Sequence, residues 1–215
     1  METVTFATED GVRLEGEFRL PDNAPVGAAV ICHPHPRHGG SKDHPLLWAI
    51  RNDLAGMRGF VVLSFNFRGV LGSGGTYGGG HDEVRDARAA ITRVREAAPD
   101  VPIVVAGWSF GANVAIRETL DDERVAGLAL IGIPLTSNDL SLPALPSGPE
   151  VRARHLPTLL VAGENDEYCP RELLEEYAAA SGATAAILEG TDHYFWRRER
   201  EAASLIGAFA AGIVA

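Results

Sequence analysis

Short apolar runs alternate with amphipathic segments along most of the chain. That alternation predicts a parallel sheet with helices on both faces. Continuous apolar runs such as AAVIC are typical of strands buried on both sides. We predict strands at Ala28–Cys32, Phe60–Phe65, Val101–Ala106, Val125–Ile131, Leu156–Ala162 and Thr184–Leu188, and helices at Leu46–Met57, Asp82–Ala98, Ser109–Leu120, Arg171–Ser181 and Trp196–Ile213.

The first twenty residues follow a different pattern. Thr3–Thr8 and Arg13–Leu20 are strand-like runs joined by Glu-Asp-Gly, which indicates a β-hairpin. The sheet is therefore expected to begin antiparallel, to continue parallel and to contain about seven or eight strands. A length of 215 residues suits one domain, so we assign residues 1–215 to a single domain.

One stretch, Pro134–His155, has no clear period and contains four prolines, so it predicts a short, irregular, cap-like excursion. It is too short and too rich in proline for a large helical lid. We expect its leucines, Leu140, Leu142 and Leu145, to form one wall of a shallow apolar pocket and to bind substrate.

Composition narrows the classes of partner. The formal net charge of −10 argues against nucleic acid or an anionic membrane surface as a main partner. The N-terminus has acids where a signal peptide carries basic and apolar runs, and no stretch reaches the roughly 18 apolar residues that span a bilayer. Two cysteines, Cys32 and Cys169, make no disulfide framework, so we expect free thiols and a cytoplasmic location.

The segment Gly107-Trp108-Ser109-Phe110-Gly111 matches G-x-S-x-G. It follows the strand VPIVVA and opens the helix FGANVAIRETL, which is the strand–turn–helix setting of a nucleophile elbow. The glycines leave room in a tight, strained turn that exposes the hydroxyl. Ser109 is therefore the candidate nucleophile; the alternative is a serine that only caps the helix.

A serine hydroxyl needs a base within hydrogen-bond reach, and histidine has a suitable pKa. Among seven histidines, only His193 lies in a loop after the last predicted strand. We predict that it is the general base. Simple packing or solvation of this histidine is the alternative.

The acid that orients the histidine must lie on a neighbouring loop at the same sheet edge. Glu164, Asp166 and Glu167 follow the strand TLLVA, and Asp192 precedes the histidine. Asp166 is best placed, three residues past a glycine and four before a proline. The order serine, aspartate, histidine is also the order of the α/β-hydrolase fold.

On these motifs the chain resembles the α/β-hydrolase superfamily. Within it, the chain is similar to small bacterial serine hydrolases of the carboxylesterase or dienelactone-hydrolase kind, which carry an H-P-H-P-x-x-G-G segment. That segment reads HPHPRHGG at residues 33–40, and further matches are NFRGV at 66–70, GWSFG at 107–111, the turn from Gly163 to Pro170, and Gly190 with His193. The resemblance implies an α/β-hydrolase fold and activity mostly on esters.

The resemblance also implies an oxyanion hole. One donor is expected to be the N–H of Phe110, the residue after the nucleophile. The other is expected to be the N–H of His35, since Pro34 and Pro36 on either side have none. Trp108, beside the nucleophile, is a candidate substrate contact.

We therefore expect a serine hydrolase that cleaves small carboxylic esters or thioesters through an acyl-enzyme, without a cofactor. Two other classes stay open. One is a metal-dependent hydrolase, because His33, His35, His38 and His44 fall within twelve residues and H-x-H can hold zinc. The other is a catalytically silent binding protein on the same fold. Arg68, before the Gly-rich loop, is expected to tie loops together instead of binding an anion.

Overall fold

The computed structural model describes residues 1–136 and 141–215. Eight strands form one sheet in the order β1-β2-β4-β3-β5-β6-β7-β8. The two strands of the N-terminal hairpin pair antiparallel, β2 pairs antiparallel with β4, and the remaining pairs are parallel. The predicted mostly parallel sheet with an antiparallel start is confirmed. The strands are β1 Glu2–Ala7, β2 Arg13–Arg19, β3 Gly27–Cys32, β4 Phe60–Phe65, β5 Ile103–Trp108, β6 Val125–Ile131, β7 Thr158–Gly163 and β8 Thr184–Leu188.

Helices cover both faces of the sheet. They are α1 Pro45–Asn52, α2 Glu83–Ala97, α3 Phe110–Thr119, α4 Gly148–Ala153, α5 Arg171–Ser181 and α6 Glu199–Ile213. One apolar cluster joins the sheet to α2, α3, α4 and α5, and a second joins it to α1 and α6. The four neighbouring strands β3, β5, β6 and β7 are buried on both sides, as their continuous apolar sequences require.

Three predicted elements need correction. The helix predicted at Leu46–Met57 is α1 followed by one turn of π-helix, Asp53–Met57. The closing helix begins at Glu199 and not at Trp196, because Phe195 and Arg197 have φ values of 56° and 65°, which a right-handed helix excludes.

The third correction concerns the excursion, which contains the short helix α4. Its first turn is capped by Glu150, whose carboxylate accepts hydrogen bonds from the Ser147 N–H (2.8 Å) and Oγ (2.6 Å). The excursion is anchored at several points: the Leu135 N–H donates to the Tyr168 carbonyl (2.9 Å), Pro143 accepts a bond from Asn113 on α3, and Pro146 accepts one from Tyr177 on α5. It therefore packs against two helices.

Both cysteine thiols are free, as predicted, and both are buried. Cys32 ends β3 and Cys169 follows β7, and two strands of the sheet, β5 and β6, separate them. Burial raises the pKa of both thiols well above the ordinary range. In the described part of the chain, no helix is both long and apolar enough to cross a bilayer.

Candidate active site

Ser109 lies at the joint between β5 and α3, at the carboxyl edge of the sheet. Its φ of 56° and ψ of −117° are strained for a residue with a side chain. The turn is held by a hydrogen bond of 2.8 Å from the Ser109 N–H to the carbonyl of Ile131, at the end of β6. A Cβ on Gly107 would lie 2.3 Å from the carbonyl oxygen of Gly111. Glycine at position 107 is therefore required for this close turn.

A chain of hydrogen bonds joins Ser109, His193 and Asp166. The Ser109 Oγ lies 2.9 Å from the His193 Nε2, and the His193 Nδ1 lies 2.9 Å and 3.0 Å from the two carboxylate oxygens of Asp166. All three residues are buried. Because a carboxylate only accepts, the Nδ1 carries the imidazole proton and the Nε2 lone pair faces the serine hydroxyl. The arrangement can therefore take a proton from Ser109.

Among the described residues, Asp166 is the only acidic candidate that contacts the His193 imidazole. The Glu164 carboxylate accepts from the Gly190 N–H (2.9 Å), and that of Asp192 accepts from the Tyr194 N–H (2.9 Å). Glu167 is exposed. Backbone bonds from Glu164 to Leu188 and from Asn165 to Thr191 fasten the acid loop to the histidine loop. Asp166 is the acid that this register brings to His193.

The loop after β3 lies against the first turn of α3. A Cβ on Gly111 would lie 2.3 Å from the carbonyl oxygen of Cys32, and one on Gly40 would lie 2.1 Å from that of Pro34. Gly111 allows the helix to meet the loop at van der Waals contact, and Gly40 allows the loop to fold back on itself. Within the described residues, neither the His35 N–H nor the Phe110 N–H donates a hydrogen bond. Two amides on adjoining segments are thus left available beside Ser109.

The imidazoles of His33 and His35 have both ring nitrogens occupied. The His33 Nε2 accepts from the Phe67 N–H (3.0 Å), so its Nδ1 donates to the Pro34 carbonyl (2.6 Å). The His35 Nδ1 accepts from the Arg37 N–H (3.2 Å), so its Nε2 donates to the Tyr77 hydroxyl (3.0 Å). Burial lowers the pKa of each imidazole to about 4, so both are neutral near pH 7.

These bonds use the lone pairs that a metal would need. His44 is engaged too, since its Nδ1 accepts from the Leu46 N–H at the start of α1 (3.3 Å). His38 is exposed and stacks on His35, with ring centroids 4.4 Å apart. Residues 1–136 and 141–215 contain no group of three or more side chains arranged to hold a metal ion. The geometry gives no support to the metal-dependent alternative.

A cavity of about 100 Å³ opens above Ser109. Trp108 lines it, as expected of a substrate contact, but is only 1% exposed, and its indole Nε1 donates to the His193 carbonyl (3.1 Å). Its main contact therefore supports the histidine loop. Leu142 and Leu145 differ from the expectation: they pack against the core and are not among the described residues lining the cavity. Leu140 lies outside the described residues.

Two kinds of site residue were missed from the sequence. Tyr168 and Tyr194 line the cavity on either side of His193. Gly132, just after β6, has a φ of +51°, and a Cβ there would lie 3.0 Å from both the imidazole and the Asp166 carboxylate. Its place at the carboxyl end of a central strand was the available signal.

Arg68 is buried and joins segments far apart in the chain, as predicted. Its guanidinium bonds to Asp86 on α2 (2.7 and 2.9 Å) and to Asp10 in the hairpin turn (3.0 and 3.2 Å). These carboxylates occupy the donors that an anionic ligand would otherwise use. Arg68 therefore anchors the Gly-rich loop.

The sheet order and the position of the Ser109 turn agree with comparisons of the sequence. A family model described as an alpha/beta hydrolase domain matches residues 29–211, and the chain belongs to this family. An uncharacterized protein of Rickettsia prowazekii is 26% identical over 220 residues, covering 97% of this chain and 88% of the relative.

Comparison with solved structures indicates the same fold. An alpha-beta serine hydrolase homologue from Coxiella burnetii is 27% identical, covers 96% of each chain and has a TM-score of 0.81. A serine hydrolase without a lid from Xanthomonas campestris is 25% identical, with a TM-score of 0.80 and coverage of 97% and 92%. An esterase of Pyrococcus furiosus, 21% identical with a TM-score of 0.81, covers 97% of this chain and 90% of its own; it shares the fold.

Proposed function

We propose that this hydrolase-family protein is a serine hydrolase that cleaves small carboxylic esters or thioesters through an acyl-enzyme on Ser109. The observation that carries the proposal is the buried chain Ser109–His193–Asp166, with contacts of 2.9 to 3.0 Å, at the base of a cavity. The serine hydrolase homologues of Coxiella and Xanthomonas support the same class.

In the first step, the His193 Nε2 takes the Ser109 proton while the Oγ bonds to the substrate carbonyl carbon. The carbonyl oxygen becomes an oxyanion, which the N–H groups of His35 and Phe110 stabilise. Asp166 holds the imidazole in the required tautomer and stabilises its positive charge. The intermediate then expels the alcohol or thiol, which takes the proton back from His193. Water repeats the sequence on the acyl-enzyme and releases the acid.

The nucleophile is tested by fluorophosphonate labelling and p-nitrophenyl acetate hydrolysis with wild type and Ser109→Ala. We expect a loss of about 10⁴–10⁶ in kcat, the scale of losing a triad nucleophile. Ser204→Ala, an exposed serine on α6, is the matched control and should be labelled and active like wild type. A wild-type protein that is neither labelled nor active would instead indicate the catalytically silent binding protein.

We further propose a short acyl group. The cavity of about 100 Å³ is well below the roughly 300–1,000 Å³ of drug-sized ligand sites. Each buried CH₂ contributes about 0.8 kcal/mol only while there is room for it. With p-nitrophenyl esters, kcat/KM should be highest for the acetate to the butyrate and should be lower for the caprylate. The rate should not rise when the substrate passes its solubility limit. A maximum at laurate or palmitate would contradict the short-acyl proposal alone.

A further inference from the structure

Exposed aromatic side chains continue outward from the cavity along the segment after His193. Tyr194 is 47% exposed and Trp196 is 57% exposed, and their rings stack with centroids 6.4 Å apart and planes 23° apart. His44 lies between Trp196 (6.0 Å) and the buried Trp108 (4.4 Å). We call His44, Tyr194 and Trp196 the aromatic shelf. Tyr194 and His44 also line the cavity, so shelf and cavity are continuous.

The shelf is held in place by the segment's own backbone. Burial alternates along it, so that His193 and Phe195 point inward while Tyr194 and Trp196 point outward. The Tyr194 N–H donates to the Asp192 carboxylate (2.9 Å), and Phe195 adopts a φ of 56° with its ring in the core. Two large rings are thus presented to solvent by a turn that is anchored by the Asp192 carboxylate and by the buried Phe195 ring.

The position of the shelf relative to His193 indicates which part of a substrate it meets. The imidazole must return its proton to the leaving oxygen, so the alcohol portion lies on the histidine side of Ser109. The carbonyl oxygen points instead toward the amides of His35 and Phe110. Tyr194 contacts the His193 imidazole (ring centroids 5.7 Å apart) and Trp196 lies beyond it, so the shelf extends from the leaving-group side.

We propose that the aromatic shelf binds the alcohol portion of the substrate and selects a flat aromatic ring there. This inference rests on the proposed ester hydrolysis and adds the chemical class of the leaving group. Stacked or edge-on aromatic pairs are favoured beyond their buried area, and the shelf offers both a phenol and an indole. A ring carried two or three bonds from the ester oxygen would extend from the small cavity onto Tyr194 and Trp196.

The test compares 2-phenylethyl acetate with 2-cyclohexylethyl acetate. Both have the same acyl group and alkyl alcohols of similar acidity, so their ratio of kcat/KM measures recognition of the flat ring. We expect the wild type to prefer the phenyl ester by about 2- to 12-fold, the factor that corresponds to about 0.5–1.5 kcal/mol for an aromatic pair. Trp196→Leu and Tyr194→Leu keep an apolar side chain and should each bring the ratio toward one.

Trp48→Leu is the matched control. Trp48 is 53% exposed on α1 and lines a different surface depression with Met57 and Arg19, so its loss should leave the ratio unchanged. A second substrate pair, ethyl phenylacetate and ethyl cyclohexylacetate, carries the ring on the acyl side. Its ratio should not respond to Trp196→Leu.

A wild-type ratio near one, an unchanged ratio in Trp196→Leu, or an equal loss in Trp48→Leu would overturn the inference. So would a response confined to the acyl-side pair. Fluorophosphonate labelling of Ser109 in the same preparations distinguishes failure of the shelf inference from failure of the proposed hydrolysis. Labelled, active protein with no ring preference overturns only the shelf, whereas unlabelled, inactive protein overturns the proposed hydrolysis and the shelf together.

Discussion

Asp166→Asn gives the sharpest test of the proposed acid, because only one of the two carboxylate oxygens also accepts backbone N–H groups. The Oδ1 accepts from the N–H groups of Tyr168 (3.0 Å) and Cys169 (3.1 Å) and lies 3.0 Å from the His193 Nδ1, while the Oδ2 lies 2.9 Å from the same nitrogen. Two amide donors require an acceptor at the Oδ1 position, so the asparagine carbonyl must take it. The asparagine NH₂ then faces the imidazole.

An NH₂ group donates, so at the Oδ2 position it favours an imidazole that turns a lone pair on the Nδ1 toward it and carries its proton on the Nε2. In that tautomer it cannot accept the Ser109 proton. We expect kcat/KM to fall by about 10²–10⁴, and the two fixed amides favour the upper value, which corresponds to about 5.5 kcal/mol of transition-state stabilisation. The assay is p-nitrophenyl acetate hydrolysis together with the rate of fluorophosphonate labelling, and far-UV circular dichroism checks the fold.

Glu164→Gln and Asp192→Asn are the matched controls. Each keeps an oxygen that can accept the same backbone N–H, from Gly190 and Tyr194 respectively, and neither touches His193. Both should lose far less activity. If Glu164→Gln proved the more damaging change, or if Asp166→Asn kept more than about a tenth of the wild-type rate, the tautomer argument would be wrong.

Three further changes probe the support of the site. Gly132→Ala places a Cβ 3.0 Å from the His193 imidazole and should lower kcat/KM about tenfold or more. Gly212→Ala on α6, with open space around it, should not lower it, and equal values would contradict the contact. Tyr77→Phe removes the 3.0 Å bond to His35, so kcat should fall about 2- to 10-fold with KM little changed; a shift in Tm alone would speak against a positioning role. Since burial lowers the pKa of His33 from 6.5 to about 4, the unfolded chain binds a proton that the native state does not between those values, and stability falls as pH drops. The advantage of wild type over His33→Gln in free energy of unfolding should shrink by about 3 kcal/mol from pH 7 to 4, measured by urea denaturation, and a constant difference would refute this.

The strands and the Ser109 turn were predictable because local sequence determines them. Phe60–Phe65 was predicted with its observed bounds, since a mostly apolar run, interrupted only by Ser64, lies between Gly59 and Asn66. The start of α6 was missed because it depends on left-handed residues at Phe195 and Arg197 that no apolar period shows. The helix α4 was missed because the segment is rich in proline, although Ser147 and Glu150 form a capping box that the sequence shows.

Contacts between strand ends were harder to predict. Gly132 reaches His193 only because β6 lies between β5 and β7, an order set by the packing of the whole sheet. The leucines of the excursion were expected at the pocket on their apolarity alone, but Leu142 and Leu145 pack, partly buried, against the core. Apolar character predicts that a side chain is covered and does not say by which neighbour.

The contact of Gly111 with the carbonyl of Cys32 limits how the substrate range of this protein can change. Even one added methyl group at that joint would separate the serine turn from the loop of His35, and with it the two proposed oxyanion donors. Neither mutational drift nor laboratory selection can therefore introduce a larger residue at position 111, at the floor of the site. New substrates have to be accommodated at the rim, where the side chains of His38 and Tyr194 already face solvent and can be exchanged without moving the backbone beneath them.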